Sequence, residues 1–402
     1  MLLYWLWFAL LPGLTIREKL YVLKHFQTPE DIFLAQRLDY KRIEGISAEQ
    51  VMSLCNKDLI AARQIMAQCT QKHIRVIAYT DSAYPARLRN IDQPPLVLYC
   101  KGTVTDLESR PVVAVVGTRK STPYGVRTAK SMGAQLSACG AVVISGGAGG
   151  IDTAALQGAM AMGKPVAAIL AGGVDTVYPK ENKPLFDAIA ENGCLLSEHP
   201  PGTPSYRWHF PRRNRLMSGI SNAVLVIEAP EGSGALITAE AALEQGRDVF
   251  TVPGNIDSPT FAGSNALMRD GAIPVSRGWE VIKDYEPFYP GMLRQAEVAL
   301  EPETPAPAQV AQKPAMPKAN KNPIDNPKES TYSVLDKQIA ALSEEERQVL
   351  EQVPREVTSV DEILAKTDMP SGKVLSILTK LSLKGLIQNH PGRCVSYGGK
   401  HG

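Results

Sequence analysis

The stretch AVVISGGAGGIDTAAL, residues 141–156, decides how this chain is read. An apolar run, Ala141–Ile144, leads into Gly146, Gly147, Gly149 and Gly150, and an apparent helix opens at Ile151. Consecutive apolar residues without alternation suit a strand buried on both faces. Glycines after such a strand let the backbone approach a bound group, because no Cβ stands in the way. The same order recurs on either side. Val112–Val116 runs into Gly117, and Val166–Leu170 into Gly172-Gly173. Ala223–Ile227 precedes another glycine stretch, and Val249–Val252 ends at Pro253-Gly254. The helix-like segments between them, Thr122–Cys139 and Ile151–Met162, stop at Gly140 and Gly163, where a C-terminal cap belongs. Short buried strands alternating with helices predict an α/β domain with a Rossmann-like parallel sheet covered on both faces. Ligands of such sheets bind beyond the carboxyl ends of the strands, and the glycine loops gather on that edge.

The totals bound the rest. At 402 residues the chain exceeds one typical core, so two or three domains are expected. Apolar residues at 44% and charged residues at 21% are those of an ordinary globular chain. A formal net charge of +2 means that any basic surface is local. Cys55, Cys69, Cys100, Cys139, Cys194 and Cys394 form no CxxC pair, which argues against zinc and against a disulfide framework and fits a reducing cytoplasm. The opening MLLYWLWFALLPGL lacks a basic start and a small-residue cleavage site, and Pro12-Gly13 interrupt it too early for a membrane span. It reads as a core helix ending in a turn, and no membrane insertion is expected.

Composition divides the chain further. Residues 1–75 read as a helical domain, with turns at Leu11-Pro12-Gly13-Leu14 and Ile43-Glu44-Gly45-Ile46. These resemble helix-hairpin-helix turns, but Glu44 would repel phosphate, and plain helix packing is preferred. Residues 80–287 hold the Rossmann-like domain. Residues 288–334 read as a flexible linker, its centre at 302–330 rich in Pro, Ala, Lys and Asn. Residues 335–400 carry three helix signals, the third with Val374, Leu375, Leu378 and Leu381 at helical spacing and Gly385 at its end. A hairpin around Pro391-Gly392 completes a winged helix. Lys373, Lys380 and Lys384 on the third helix read more readily as a solvated face than as a reading head.

Chemistry comes next. Gly117-Thr118-Arg119-Lys120 is not GxGxxG, and the glycine-rich loop follows the second strand of this alternating series. A dinucleotide fingerprint requires the loop after the first strand and an acid about twenty residues on. A GxxxxGK[ST] loop, a GxSxG serine and a metal-spaced His/Asp/Glu set are missing from the sequence. No cofactor, no metal and no catalysis are therefore expected. Residues 200–219, PPGTPSYRWHFPRRNRLMSG, combine Arg207, Arg212, Arg213 and Arg215 with Tyr206, Trp208, His209 and Phe210, without an acid. Guanidinium groups neutralise phosphates and aromatic faces stack on unpaired bases, the combination that binds single strands. The competing reading puts the aromatics in a core and the arginines in salt bridges. Tyr178-Pro179-Lys180 adds a cation to the same edge, and Glu231-Gly232-Ser233-Gly234 opens a helix whose first amides would suit a phosphate. Cations and glycines from separate segments converging on one edge favour an extended phosphate chain.

The motifs VVGTRKSTPYG (115–125), SGGAGGIDTAA (145–155), YPKEN (178–182), WHFPRRNRLMSGIS (208–221) and GSGALITAEAALEQGRDVFTVPGNI (232–256) resemble the DNA-processing protein A family (DprA, also called Smf). The resemblance covers most of the chain. It implies a SAM-like N-terminal domain, a Rossmann-like domain that binds single-stranded DNA, and a winged-helix C-terminus. It further implies a cytoplasmic homodimer that protects incoming transforming DNA and helps load the RecA recombinase. Carried over by motif position, Arg119, Lys180 and Arg207 contact phosphates, and Phe210 stacks on a base. Gly117, Gly146, Gly149 and Gly150 line the channel, with Arg212, Asn214 and Arg215 beside it. Gly147, Gly149 and Leu156 depart from the family pattern, which more often has a larger apolar residue, a basic residue and a histidine there. Two other readings stand beside this one. A nucleoside monophosphate phosphoribohydrolase-like enzyme would use Arg119 and Glu240, although Ala235 sits where those enzymes carry glycine. A winged-helix transcription regulator would bind duplex DNA without residues 110–285.

Overall fold

The computed structural model describes residues 1–103, 107–298 and 342–397, the last without 368, 384, 385 and 391–393. Most of the expected linker, with Lys384, Gly385 and the Pro391-Gly392 turn, lies outside the described residues. Among the described residues, nine strands form one sheet: β1 (Ile74–Ala78), β2 (Val97–Gly102), β3 (Val112–Val116), β4 (Val142–Ser145), β5 (Ala167–Ile169), β6 (Cys194–Ser197), β7 (Ala223–Val226), β8 (Asp248–Thr251) and β9 (Ile273–Pro274). Their order is β1-β2-β6-β5-β4-β3-β7-β8-β9. From β6 to β9 every neighbour is parallel, while β1 and β2 add antiparallel strands at one edge. After β3 the chain winds outward through β4, β5 and β6, then returns to lay β7 on the other side of β3. That reversal is the topological switch point of the sheet, where an open crevice forms beyond the strand ends.

Pleating explains the continuous apolar runs. Val113 and Val115 enter the apolar cluster on one face of the sheet, and Val112, Ala114 and Val116 the cluster on the other. Successive side chains of a strand point to opposite faces, so every position of β3 is buried. The N-terminal helices extend the first cluster: α1 (Leu2–Leu10), α2 (Ile16–His25), α3 (Pro29–Leu34), α4 (Arg37–Lys41), α5 (Ala48–Cys55) and α6 (Ile60–Gln71). Trp5, Leu6 and Phe8 of α1 join the core that holds Val113. Among the described residues, no helix is long and apolar enough to cross a membrane. Buried Lys19 donates to the Ala9 carbonyl at 2.7 Å, satisfying an oxygen that the end of α1 leaves without a helical partner. Burial pushes its ammonium down to about 8.

Three features differ from the reading of the sequence. β1 falls across the interval between residues 75 and 80, and β2, β6 and β9 were not foreseen. The segment after 287 does not begin as a linker. Tyr289 and Leu293 are buried in the main core, and Arg294 donates its amide to the Cys139 carbonyl at 3.1 Å. In the C-terminal unit Leu375 is exposed rather than part of the apolar stripe.

The helices that carry the site follow the strands: α7 (Ala86–Arg89), α8 (Pro123–Ala138), α9 (Ile151–Met160), α10 (Lys183–Asn192), α11 (His209–Ile220), α12 (Gly234–Glu244), α13 (Ala262–Arg269) and α14 (Gly278–Ile282). α8 and α9 meet backbone to backbone. A Cβ on Gly133 would lie 2.1 Å from the Ala155 carbonyl oxygen, and one on Gly158 would lie 2.0 Å from that of Lys130. The glycine loop of residues 146–150 is thus mounted on a helix pair with no room to spread.

The chain divides into two compact units between Thr304 and Pro305. The second holds α15 (Glu344–Glu351), α16 (Val360–Ala365) and α17 (Ser371–Leu383), with β10 (Thr358–Ser359), β11 (Ile387–His390) and β12 (Cys394–Tyr397) in the antiparallel order β10-β12-β11. Val349, Ile363, Val374 and Leu381 form its core. Lys373 of the third helix pairs with Glu345 of the first at 2.5 Å.

Overpacking a close-packed interior costs ~1–3 kcal/mol, and more where backbone blocks relief. Gly133→Leu should therefore destabilise the protein by about 3 kcal/mol or more in urea unfolding. Gly149→Ala, with nothing within 4 Å of its Cβ position, should stay within ~0.5 kcal/mol of wild type. Equal stabilities would show that the α8–α9 contact is not tight.

Candidate nucleic-acid interface

A cleft of about 740 Å³ opens beyond the ends of β3 and β7, at the switch point. Pockets for small ligands span about 300–1,000 Å³, so size alone does not separate a mononucleotide from a strand. The lining does. Residues 116–120 after β3 form one wall and residues 230–235 after β7 form another. Ala148, Tyr178 and Arg207 come from the loops after β4, β5 and β6, and Phe210 from the first turn of α11.

The first wall is fixed by Glu228, which is fully buried just past β7. Its carboxylate accepts from the Thr122 amide at 3.0 Å and from the Thr122 hydroxyl at 3.0 Å, while its carbonyl accepts from Thr118 at 2.7 Å. Thr122 in turn caps α8. A Cβ on Gly125 would fall 1.8 Å from the Glu228 carboxylate, which explains the glycine of the motif STPYG. Gly117 yields space to Ile151 at 2.5 Å. Gly150, at φ +80°, brings α9 against the carbonyls of Thr118 and Arg119. These glycines bring protein to protein.

The floor is fixed by Arg213, which is 5% exposed. It donates to the Ile169 carbonyl at 3.0 Å and to Asn214 Oδ1 at 3.1 Å. Gly146 makes room for it, since a Cβ there would lie 1.4 Å from the guanidinium. Buried Asp152 supplies the nearby negative charge. Burial raises its carboxyl group above the usual range, opposed first by Arg213. Burial likewise lowers Arg213, opposed by Asp152. Asn214 donates to the Gly234 carbonyl at 3.1 Å and so anchors the turn into α12. Asn182, in the motif YPKEN, donates to the Gly147 carbonyl at 2.8 Å and to Thr153 Oγ1 at 2.7 Å, locking the glycine loop.

On this frame the exposed Arg119 lays its guanidinium 4.6 Å from the centre of the Phe210 ring and 6.0 Å from that of Tyr178. Arg213 lies 5.8 Å from the same Phe210 ring. Cations within about 6 Å of an aromatic face are attracted by its quadrupole. Arg119 and Arg207 therefore face the cleft as exposed cations beside an aromatic floor. Ser233 caps α12 through the Ala235 amide at 3.3 Å, with Gly234 exposed at the rim.

The residues chosen from sequence separate into groups. Gly117, Arg119, Arg207, Phe210 and Asn214 line the cleft. Lys180 is exposed in the loop after β5, outside the lining. Gly149 faces open space, whereas Gly146 and Gly150 pack against protein. Arg212 and Arg215 open onto a different hollow, beside Asp92 and Glu198. Arg215 pairs with Glu198 at 2.7 Å and donates to the Gln93 carbonyl. Glu240, required by the enzyme reading, is exposed and does not line the cleft. Arg213, Asp152, Asn182 and Glu228 were not selected. Arg213 was counted with the other arginines of residues 200–219, and the fold buries it together with Asp152 and Glu228.

His209 also anchors this segment. Its Nδ1 meets the Ala171 carbonyl at 2.9 Å, and its ring stacks on His199 at 3.9 Å and 20°. Burial, followed by His209, Arg212 and Arg215, pushes the His199 imidazole down to about 4. Glu198 Oε1 stands 4.0 Å from His199 Nε2, while its Oε2 pairs with Arg215. With the folded value below the unfolded one, the unfolded chain binds more protons as pH falls from about 6.5 to 4. Between pH 7 and pH 5 this should remove about 2 kcal/mol of stability. His199→Phe, which keeps the ring, should show a drop smaller by that amount in urea melts at the two pH values. An unchanged drop would mean that His199 is not held neutral.

Comparison with known proteins follows the geometry. The family model for DNA recombination-mediator protein A matches residues 75–286, and that for the DprA winged helix domain matches residues 335–393. Protein Smf of Synechocystis is 31% identical over 404 residues, covering 97% of each chain. DNA processing protein DprA of Bacillus subtilis is 40% identical over 209 residues, 52% of this chain and 70% of that protein. The X-ray structure of DNA processing protein A from Streptococcus pneumoniae superposes with a TM-score of 0.60 at 33% identity, covering 71% of this chain and 98% of the other. The switch-point cleft, its glycine loops and its arginine-aromatic wall all lie within the matched segment, and the chain belongs to the DNA recombination-mediator protein A family.

Proposed function

We propose that this chain binds single-stranded DNA along the switch-point cleft and acts as a DNA-processing protein without catalysis of its own. The observation that carries this reading is the Arg119–Phe210 contact at 4.6 Å, beside the exposed Arg207 on one cleft wall. A cation and an aromatic face presented together serve the phosphates and the bases of an unpaired strand. A duplex keeps its bases stacked inside and offers no face to Phe210. The start of α12 borders the same cleft, but its Ser233 and Ala235 amides are already bonded to the Pro230 carbonyl and the Ser233 hydroxyl, so it adds little to this reading.

Family membership supports the wider role. On this reading the protein acts in the cytoplasm as a homodimer, shields incoming transforming DNA and helps load the RecA recombinase. The enzyme reading is weaker because Glu240 does not face the cleft.

Fluorescence anisotropy of labelled single- and double-stranded oligonucleotides across a salt series tests the proposal. Wild type should prefer single strands. Arg119→Ala and Arg207→Ala should each weaken binding and flatten the log–log salt slope by about 0.7, the value for one lost phosphate contact on a single strand. Equal binding of duplex, untouched by either change, would end the cleft reading. Gly149 has room for a side chain and no positive φ. Gly149→Arg should therefore tighten binding and steepen the slope by about 0.7. An unchanged slope would place that loop away from the strand.

A further inference from the structure

Tyr206 and Trp208 stand apart from the aromatic floor of the cleft. Ser205, Arg207 and Phe210 line the cleft, whereas Tyr206 and Trp208 do not. Their rings stack on one another at 4.7 Å and within 7° of parallel. Both meet the ring of His209 edge-on, at 5.4 Å for Tyr206 and 5.9 Å for Trp208. His209 is itself buried, bonded to Ala171 and stacked on His199. The backbone repeats the bracing: Tyr206 donates its amide to the Pro204 carbonyl at 3.0 Å, and His209 donates to that of Tyr206 at 3.0 Å. Trp208 nevertheless remains 64% exposed and Tyr206 44%. A large apolar ring held rigidly in water is a surface waiting for a flat partner.

We propose that Trp208, backed by Tyr206, is a second base-stacking station outside the cleft. It takes the base of a nucleotide whose phosphate neighbour is held at Arg207. This rests on the cleft reading and extends it, making the bound stretch of DNA longer than the cleft. Two features favour an unpaired base over a protein side chain. Arg207, between the two rings in sequence, faces the cleft, so phosphate and base stations alternate along the chain. Residues 200–219 contain no acid that would repel the strand. The two rings are ordered before binding, so little side-chain entropy is lost when a base adds to the stack. Stacking on an aromatic face is tolerant of sequence, because every base has one.

The test uses the full chain and oligo-dT of stepwise increasing length, read by anisotropy and by intrinsic fluorescence. Trp5 and Trp7 are each 2% exposed and Trp279 is partly buried, so Trp208 is the tryptophan most open to a bound base. Long oligo-dT should quench wild-type fluorescence. Trp208→Ala should remove most of the quenching and weaken long oligonucleotides about tenfold, the effect of one lost stack. Trp208→Phe, which keeps a ring, should retain most of the affinity. Oligonucleotides too short to leave the cleft should bind wild type and Trp208→Ala alike. Abasic sites outside the cleft should bring wild type down to the variant. If Trp208→Ala binds long oligo-dT as wild type does while Arg119→Ala still weakens it, the outer station is wrong and the cleft reading survives. If Trp208→Ala weakens short and long oligonucleotides equally, the station lies inside the cleft and this proposal falls. If Arg119→Ala changes nothing, the cleft reading itself fails.

Discussion

The cleft depends on a buried cation. Arg213 sits beneath Phe210, fills the space that Gly146 leaves, and gives its hydrogens to the end of β5 and to Asn214. Taking a guanidinium out of water is costly unless its donors are satisfied and a counter-charge is near. Here Asp152 supplies the charge and the Ile169 carbonyl accepts a donor. Arg213 lies 5.8 Å from the centre of the Phe210 ring, and the exposed Arg119 lies 4.6 Å from the same centre. Asn214, the next residue, holds the turn into α12. One buried side chain thus couples the ends of β5 and β7 to the glycine loop after β4.

Glu228 does the corresponding work on the opposite wall. It is a fully buried carboxylate behind the wall of the cleft, and its contacts explain its presence there. Its oxygens accept from Thr122, so the charge is spent on the loop that carries Arg119 and not on the ligand. A charge-assisted hydrogen bond from a backbone amide is stronger than a neutral one, and burial removes the competition of water. The wall is therefore rigid while its cations remain at the surface.

The glycines change meaning once the fold is known. In the sequence they look like a cradle for a ligand. In the structure Gly117, Gly125, Gly146 and Gly150 admit Ile151, Glu228, Arg213 and the Thr118 and Arg119 carbonyls respectively. Gly149 alone of the loop residues chosen at 146–150 opens into free space. A missing Cβ says that something comes close, and cannot say whether it is ligand or protein.

What the sequence determined by itself is the sheet and the edge where the site lies. Runs such as Val112–Val116 and Ala223–Val226, each followed by glycine, dictate buried parallel strands, because their residues must be apolar on both faces. Arg119, Arg207 and Phe210, picked out by the sequence beside those loops, do line the cleft. The edge strands β1 and β2 were not legible, since long-range antiparallel pairing creates them, and β6, no shorter than β4 or β7, was missed as well. Only the tertiary structure separated the arginines of 207–215. They lie on a helix and its approach, so side chains one residue apart point in different directions. Arg207 turns to the cleft, Arg213 into the core, and Arg215 to Glu198 in another hollow. Sequence supplies the charges; burial and partner decide which of them stays exposed at the cleft.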